Sequence, residues 1–163
     1  MLHSRPPGTP RRRAQGVRCQ RAATAANPAP RYNGSHGPLW ETGRGVSYAI
    51  TLRGSGELIG AIGLSIDPSW GCGDLGYWIA VPHWSNGFCT EAARTVVDLG
   101  FSHLKLIRIQ ARHLMRNGPS RRVMEKVGMK REGVCRDAVR KWGQLEDVAV
   151  YAILAQEPTA RRQ

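Results

Sequence analysis

Seven consecutive residues, Trp84-Ser85-Asn86-Gly87-Phe88-Cys89-Thr90, stand between a strand-like run, Leu75 to Val81, and a helix with a continuous apolar stripe. A strand, a turn of small residues and a helix start, in that order, make an anion cradle. The first N–H groups of a helix have no intrahelical acceptor, and the helix dipole adds partial positive charge beside them. The chemistry predicted is the grip of a linked diphosphate by backbone amides. A second spacing of interest is Asn117-x-x-Ser120. Asn117 suits a helix N-cap, and the Ser120 hydroxyl can donate a proton.

The elements that must position these residues follow from periodicity. Val46 to Leu52 alternates and is rich in β-formers; Arg53-Gly54-Ser55-Gly56 is turn chemistry; Glu57 to Ile66 is a second strand, so the two form a hairpin. Cys72 to Val81 reads as a third strand, irregular near Gly76. A helix runs from about Gly87 to His103, with Cys89, Ala92, Ala93, Val96, Val97, Gly100, Phe101 and Leu104 on one face. Leu106 to His113 alternates as a strand, and following a helix it should run parallel to the strand before it. Asn117 caps a short helix from Ser120 to Val127, with Pro119 in its first turn and Gly128 at its stop. Lys130 to Lys141 is an extended strand, Trp142-Gly143-Gln144 a turn, and Asp147 to Leu154 the last strand. Strands interleaved with helices in a mixed sheet give an α/β class, loosely α+β.

The chain of 163 residues is the size of one domain. No run approaches the roughly 20 apolar residues that span a bilayer, and no apolar secretory segment opens the chain, so a cytoplasmic protein without membrane contact is expected. Four cysteines and five histidines are scattered without metal-ligand spacing, so no metal is expected. The net charge of +12 looks like a nucleic-acid signal, but residues 1–45 hold eight Arg against one acid, a net of +7. Six of the ten prolines also lie there. Residues 1–45 are therefore expected to be a disordered basic segment without strand or helix periodicity, capable of weak RNA contact. Residues 46–156 form the expected domain, and 157–163 a tail.

The ordered set of Tyr77-Trp78-Ile79, Pro82, Trp84, Asn86 to Ala92, Asn117-x-x-Ser120, Glu125-Lys126-Val127-Gly128-Met129, Glu132-Gly133 and Asp147-Val148-x-x-Tyr151-Ala152 resembles the GCN5-related N-acetyltransferase (GNAT) superfamily. The nearest branch is that of ribosomal-protein N-terminal alanine and serine acetyltransferases. The resemblance implies a mixed, mostly antiparallel sheet with flanking helices, and acetyl-CoA as cosubstrate. Backbone groups of Trp84, Ser85, Asn86, Gly87, Phe88, Cys89 and Thr90 would hold the pyrophosphate. Ser85 and Cys89 stand where this family usually has glycine or another small residue. The pantetheine arm would pair with Ile79, Ala80 and Val81, on a strand that splays from its parallel neighbour. Asn117 would bond the arm, and Ser120 would lie near the sulfur and protonate it. Cys89 reads as a packed thiol, because these enzymes transfer acetyl directly.

The general base is left open among Asp74, His113, Glu146, Asp147 and a chain of water; a lone His such as His113 more often lies at the surface. The family fold opens with a strand and two helices, a pattern that residues 1–45 do not show, so the fold is expected to be N-terminally incomplete. The implied function is acetyl transfer from acetyl-CoA to a primary amine, a protein N-terminus in this branch. The alternative is a catalytically impaired remnant that only binds coenzyme A. An association with RNA through the arginine arm is a third reading.

Overall fold

The computed structural model describes residues 16–21 and 44–157. In chain order these form β1 (Val17–Arg21), β2 (Gly45–Leu52), β3 (Leu58–Asp67), β4 (Cys72–Ile79), a 3-10 turn (Val81–His83), α1 (Phe88–Ser102), β5 (Arg108–Leu114), α2 (Gly118–Val127), β6 (Lys130–Lys141) and β7 (Gln144–Leu154). The strands make one sheet in the order β1-β2-β3-β4-β5-β7-β6. Every neighbouring pair is antiparallel except β4 with β5, which the helix α1 connects.

Apolar alternation on the strands and the stripe of α1 meet in one core. Ile50, Ile62, Leu64, Leu75 and Ile109 rise from one face of the sheet. Ala92, Ala93, Val96, Val97 and Gly100 of α1 lie on them, as the periodicity predicts. The fit is close: a Cβ on Gly100 would come within 2.6 Å of Ile109 Cδ1 and 3.2 Å of Leu64 Cδ2. Helix α2 buries only Met124 and Val127 and is tied to α1 by Arg94, whose guanidinium donates to the Lys126 carbonyl at 2.8 Å. The β6–β7 hairpin turns on Trp142 and Gly143, at φ 50° and 79°. Two successive left-handed residues are what a tight turn between right-twisted strands needs.

Two expectations require correction. The segment 1–45 was expected to lack strand structure, yet Val17–Arg21 pairs with Tyr48–Leu52 as an edge strand. Its alternation is only five residues long: Val17 and Cys19 face the core, Arg18 and Gln20 face outward. Arg53 Nε donates to the Val17 carbonyl at 3.1 Å, and the Val17 N–H donates to Glu91 of α1 at 3.3 Å. Pairing with β2 and anchors from distant side chains overcome weak local propensity. Gly45, at the end of that expected disordered segment, opens β2; residues 1–15 and 22–43, and the tail beyond residue 157, lie outside the described residues. Second, β4 is not irregular at Gly76 in its pairing with β3, which runs without a break from Cys72 to Ile79. What changes near Gly76 is the other neighbour.

Candidate active site

Strand β4 pairs with β5 only from Cys72 opposite Arg108 to Leu75 opposite Ala111. Beyond that, β4 stays with β3, while β5 continues against β7 as far as Leu114. The two strands diverge and leave a gap. The Ala80 N–H donates to the Ile59 carbonyl of β3 at 2.8 Å. By the alternation of an antiparallel ladder, Trp78 also turns its backbone toward β3, and Tyr77 and Ile79 turn theirs into the gap. A polar backbone edge lining a gap needs partners. One is internal: the Trp84 indole N–H donates to the Ile79 carbonyl at 2.7 Å.

Of the expected pairing edge Ile79, Ala80 and Val81, the structure therefore keeps only part. Ala80 is engaged on both sides, its carbonyl accepting the His83 N–H at 2.9 Å; the Val81 carbonyl accepts the Trp84 N–H at 3.1 Å. The Ile79 N–H faces the gap, and Val81, first in its 3-10 turn, has an N–H with no acceptor in the turn. Tyr77 joins the edge, which the sequence pattern did not single out.

The turn before α1 has the backbone form expected of it. Ser85 and Gly87 both take left-handed conformations, at φ 62° and 80°, and Gly87 is the N-cap of α1 without any side-chain cap. Nothing lies within 4 Å of a Cβ built on Gly87, so it is the backbone angle and not space that favours glycine there. The Asn86 side chain donates to the Trp84 carbonyl at 3.0 Å and fixes the turn. The N–H groups of Phe88, Cys89 and Thr90 thus open the helix with no intrahelical acceptor.

Facing this cradle, Tyr77 Oη lies 2.9 Å from Ser120 Oγ and 3.2 Å from the Ser120 carbonyl. Asn117 Oδ1 accepts the Ser120 N–H at 3.2 Å, so the expected cap holds Ser120 in place. Burial raises the Tyr77 hydroxyl well above the ordinary phenol range, with the hydrogen bond to Ser120 opposing and Cys89 adding to the rise. Tyr77 therefore keeps its proton across the physiological range and acts as a donor. Burial also pushes the Cys89 thiol from the ordinary 9.0 up to about 12, which leaves it a neutral packing group. Three elements, β4, α1 and α2, thus converge on one gap.

Three of the four side-chain base candidates are engaged by other groups, and the fourth, His113, is buried. Asp74 lies on the sheet face opposite Tyr77 and accepts from Arg112 at 2.5 Å and Gln110 at 3.3 Å. Glu146 pairs with Arg116 at 2.8 Å. Asp147 Oδ1 accepts the N–H of Asp137, a residue held at φ 50°. His113, expected at the surface, is buried on the helix-covered face beside Tyr151. The sequence reading missed Tyr77; the signal that could have found it is phase, since it shares a face with Leu75 and Ile79, where a hydroxyl must find a partner.

With this geometry in place, the comparisons assign the family. Residues 12–130 match the acetyltransferase (GNAT) domain model, and the chain belongs to this family. It is 38% identical over 117 residues to the N-acetyltransferase YoaA of Bacillus subtilis, covering 71% of this chain and 66% of that protein. It is 33% identical over 103 residues to YdaF of the same organism, whose name describes a ribosomal N-acetyltransferase, covering 63% and 56%. RimJ of Mycobacterium smegmatis, solved with CoA-disulfide, superposes with a TM-score of 0.69 at 28% identity, covering 75% of this chain and 59% of that one. The chain spans less than two-thirds of the length of the curated relatives it matches first.

Two outcomes test the local physics. Ser85→Gly should raise stability by about 0.5 kcal/mol, because relief of the left-handed angle outweighs the added unfolded-state freedom, whereas Ser85→Val should lower it by more than about 1 kcal/mol; thermal unfolding of both variants reads the sign. For Cys89 and Tyr77, folding favours the neutral form. Stability from these groups is complete below about pH 9 and falls as pH rises toward 12. Cys89→Ala should make that alkaline decline shallower in urea unfolding series; an unchanged slope would show that the thiol ionises freely in the fold.

Proposed function

We propose that this chain transfers the acetyl group of acetyl-CoA to a primary amine, and that the amine is a protein N-terminus. The observation that carries the reading is the gap between β4 and β5, bordered by the uncapped start of α1 and by the Tyr77–Ser120 pair. An extended amide-bearing arm needs alternating donors and acceptors, which the Tyr77 and Ile79 backbone provides. A diphosphate needs convergent N–H groups, which the turn at Ser85 to Thr90 provides. The residues present fit the cosubstrate on both counts. When bound, acetyl-CoA supplies a thioester carbonyl open to attack by a neutral amine.

The protein's own part is electrostatic and protonic. The Val81 N–H is the donor for negative charge developing on the carbonyl oxygen. Ser120 Oγ delivers a proton to the departing thiolate and regains one through Tyr77 Oη, 2.9 Å away, which draws its own from the water that takes up the amine's proton. Burial keeps Tyr77 protonated, so it stays a hydrogen-bond donor beside Ser120 and passes a proton on only as it receives another. The amine sheds its proton to water. The protein N-terminus as acceptor is supported by the likeness to YdaF and by the branch that the motifs resemble.

Thiol release from acetyl-CoA, measured against peptides beginning with Ala or Ser and against small polyamines, tests the proposal. Peptides should be the better substrates. Tyr77→Phe should lower kcat by about 10²-fold, and Ser120→Ala by at least as much, with KM for acetyl-CoA changed less than about threefold. Coenzyme A binding without turnover on any amine would favour the binding-only reading, and an unchanged kcat in Tyr77→Phe would remove the pair from the chemistry.

A further inference from the structure

Helix α2 carries Ser120 near its start and is fastened at its other end. Its own apolar hold is small, since Met124 and Val127 are its buried residues. A glycine closure ends it: the Gly128 N–H reaches the Glu125 and Met124 carbonyls, and the Met129 N–H donates to the Met124 carbonyl at 3.0 Å. That closure takes two of the last four carbonyls of the helix and leaves those of Lys126 and Val127. Arg94 of α1 takes the first of these, with Nη2 donating to the Lys126 carbonyl at 2.8 Å. A guanidinium at a helix C-terminus also meets the negative end of the dipole. Arg94 lies one turn past Thr90, so the helix that opens the cradle also holds the far end of α2.

Two observations set Arg94 apart from a residue kept for stability alone. Its Nε–H is buried and has no hydrogen-bond partner, a penalty that an apolar side chain of similar length would not carry. The residue whose carbonyl it serves, Lys126, is exposed, so water can replace the lost bond. Water cannot replace the position. Helix α2 is a ten-residue rod, and Lys126 stands about 9 Å along it from Ser120. At the near end Asn117 Oδ1 holds the Ser120 N–H at 3.2 Å. Fixing the far end as well sets the angle at which Ser120 Oγ meets Tyr77 Oη, 2.9 Å away. Proton transfer along such a pair needs hydrogen-bond reach and weakens when the partners part.

We propose that Arg94 is a positioning residue for the proton relay: by holding the C-terminal end of α2 against α1, it keeps Ser120 Oγ within reach of Tyr77 Oη. The effect on rate rests on the acetyl-transfer reading; the effect on α2 rests on the fold alone.

Two measurements on the full chain test it, with Arg94→Met, which keeps an aliphatic stem and removes the donors. Amide hydrogen exchange without ligand reads the helix. Exchange at Ser120 and Arg121, whose N–H groups both donate to Asn117, should quicken about tenfold, while Tm falls by no more than about 4 °C. Turnover of acetyl-CoA with a peptide beginning with Ala reads the chemistry. In Arg94→Met kcat should fall about tenfold with KM for acetyl-CoA changed less than about threefold, and Arg94→Lys, which keeps a donor and a charge, should recover most of the loss. In Ser120→Ala the further change Arg94→Met should alter kcat less than about twofold, because no hydroxyl is left to position. A purely structural role would give the same loss in both backgrounds. That result, an unchanged kcat in Arg94→Met, or unchanged exchange at Ser120 would each overturn the proposal. If the unaltered chain turns over no amine, the acetyl-transfer reading fails, and the exchange result alone decides whether Arg94 sets the position of α2.

Discussion

The parallel pairing of β4 with β5 lasts four residues on each strand and then stops, and the site is built on that interruption. Neither strand is free to swing back. β4 is bonded to β3 through Ile79, with Ala80 adding one more bond to Ile59, and β5 is bonded to β7 through Leu114. Two antiparallel pairs, each stiff in itself, separate like the arms of a V. The backbone edge exposed between them has N–H and C=O groups that folding leaves without a ladder, and these match the amides of the proposed cosubstrate.

The gap gathers groups of complementary use because of where it falls in the chain. The strand that leaves the ladder runs directly into the turn that starts α1, and the strand that stays runs directly into α2. One arm therefore ends beside uncapped N–H groups and the other beside Ser120. The Trp84 indole, by taking the Ile79 carbonyl, ties the turn to the strand edge and sets the distance between cradle and gap. Ser85 bears a left-handed backbone that glycine would adopt more readily. Strain held at such a turn is expected where shape serves binding more than stability.

The parts of this arrangement that repeat were legible in the sequence. The stripe of α1, the Asn117 cap, the Gly128 stop and the Trp142-Gly143 turn each follow from a local rule, and the helix bounds differ from expectation by one or two residues. What was not legible depends on partners distant in the chain. The five residues of β1 alternate too briefly to stand out among arginines, and β2 and Glu91 make them a strand. That β4 and β5 part was inferred from resemblance; the residues themselves marked only an irregularity near Gly76, beside the point where the ladder ends. Tyr77 needed the phase of β4 to be known before its hydroxyl could be placed next to Ser120. His113 looked like a surface residue because its own strand alternates with polar neighbours; α2 and Tyr151 bury it.

Amide hydrogen–deuterium exchange with and without coenzyme A is the most direct measure of the central claim, that unpaired backbone at the gap and at the start of α1 receives the cosubstrate. Saturating coenzyme A should slow exchange at Tyr77, Ile79 and Ser85 through Thr90 while leaving the β6–β7 hairpin unchanged. Exchange at those amides that is the same with and without coenzyme A, in protein shown to be folded, would contradict the account.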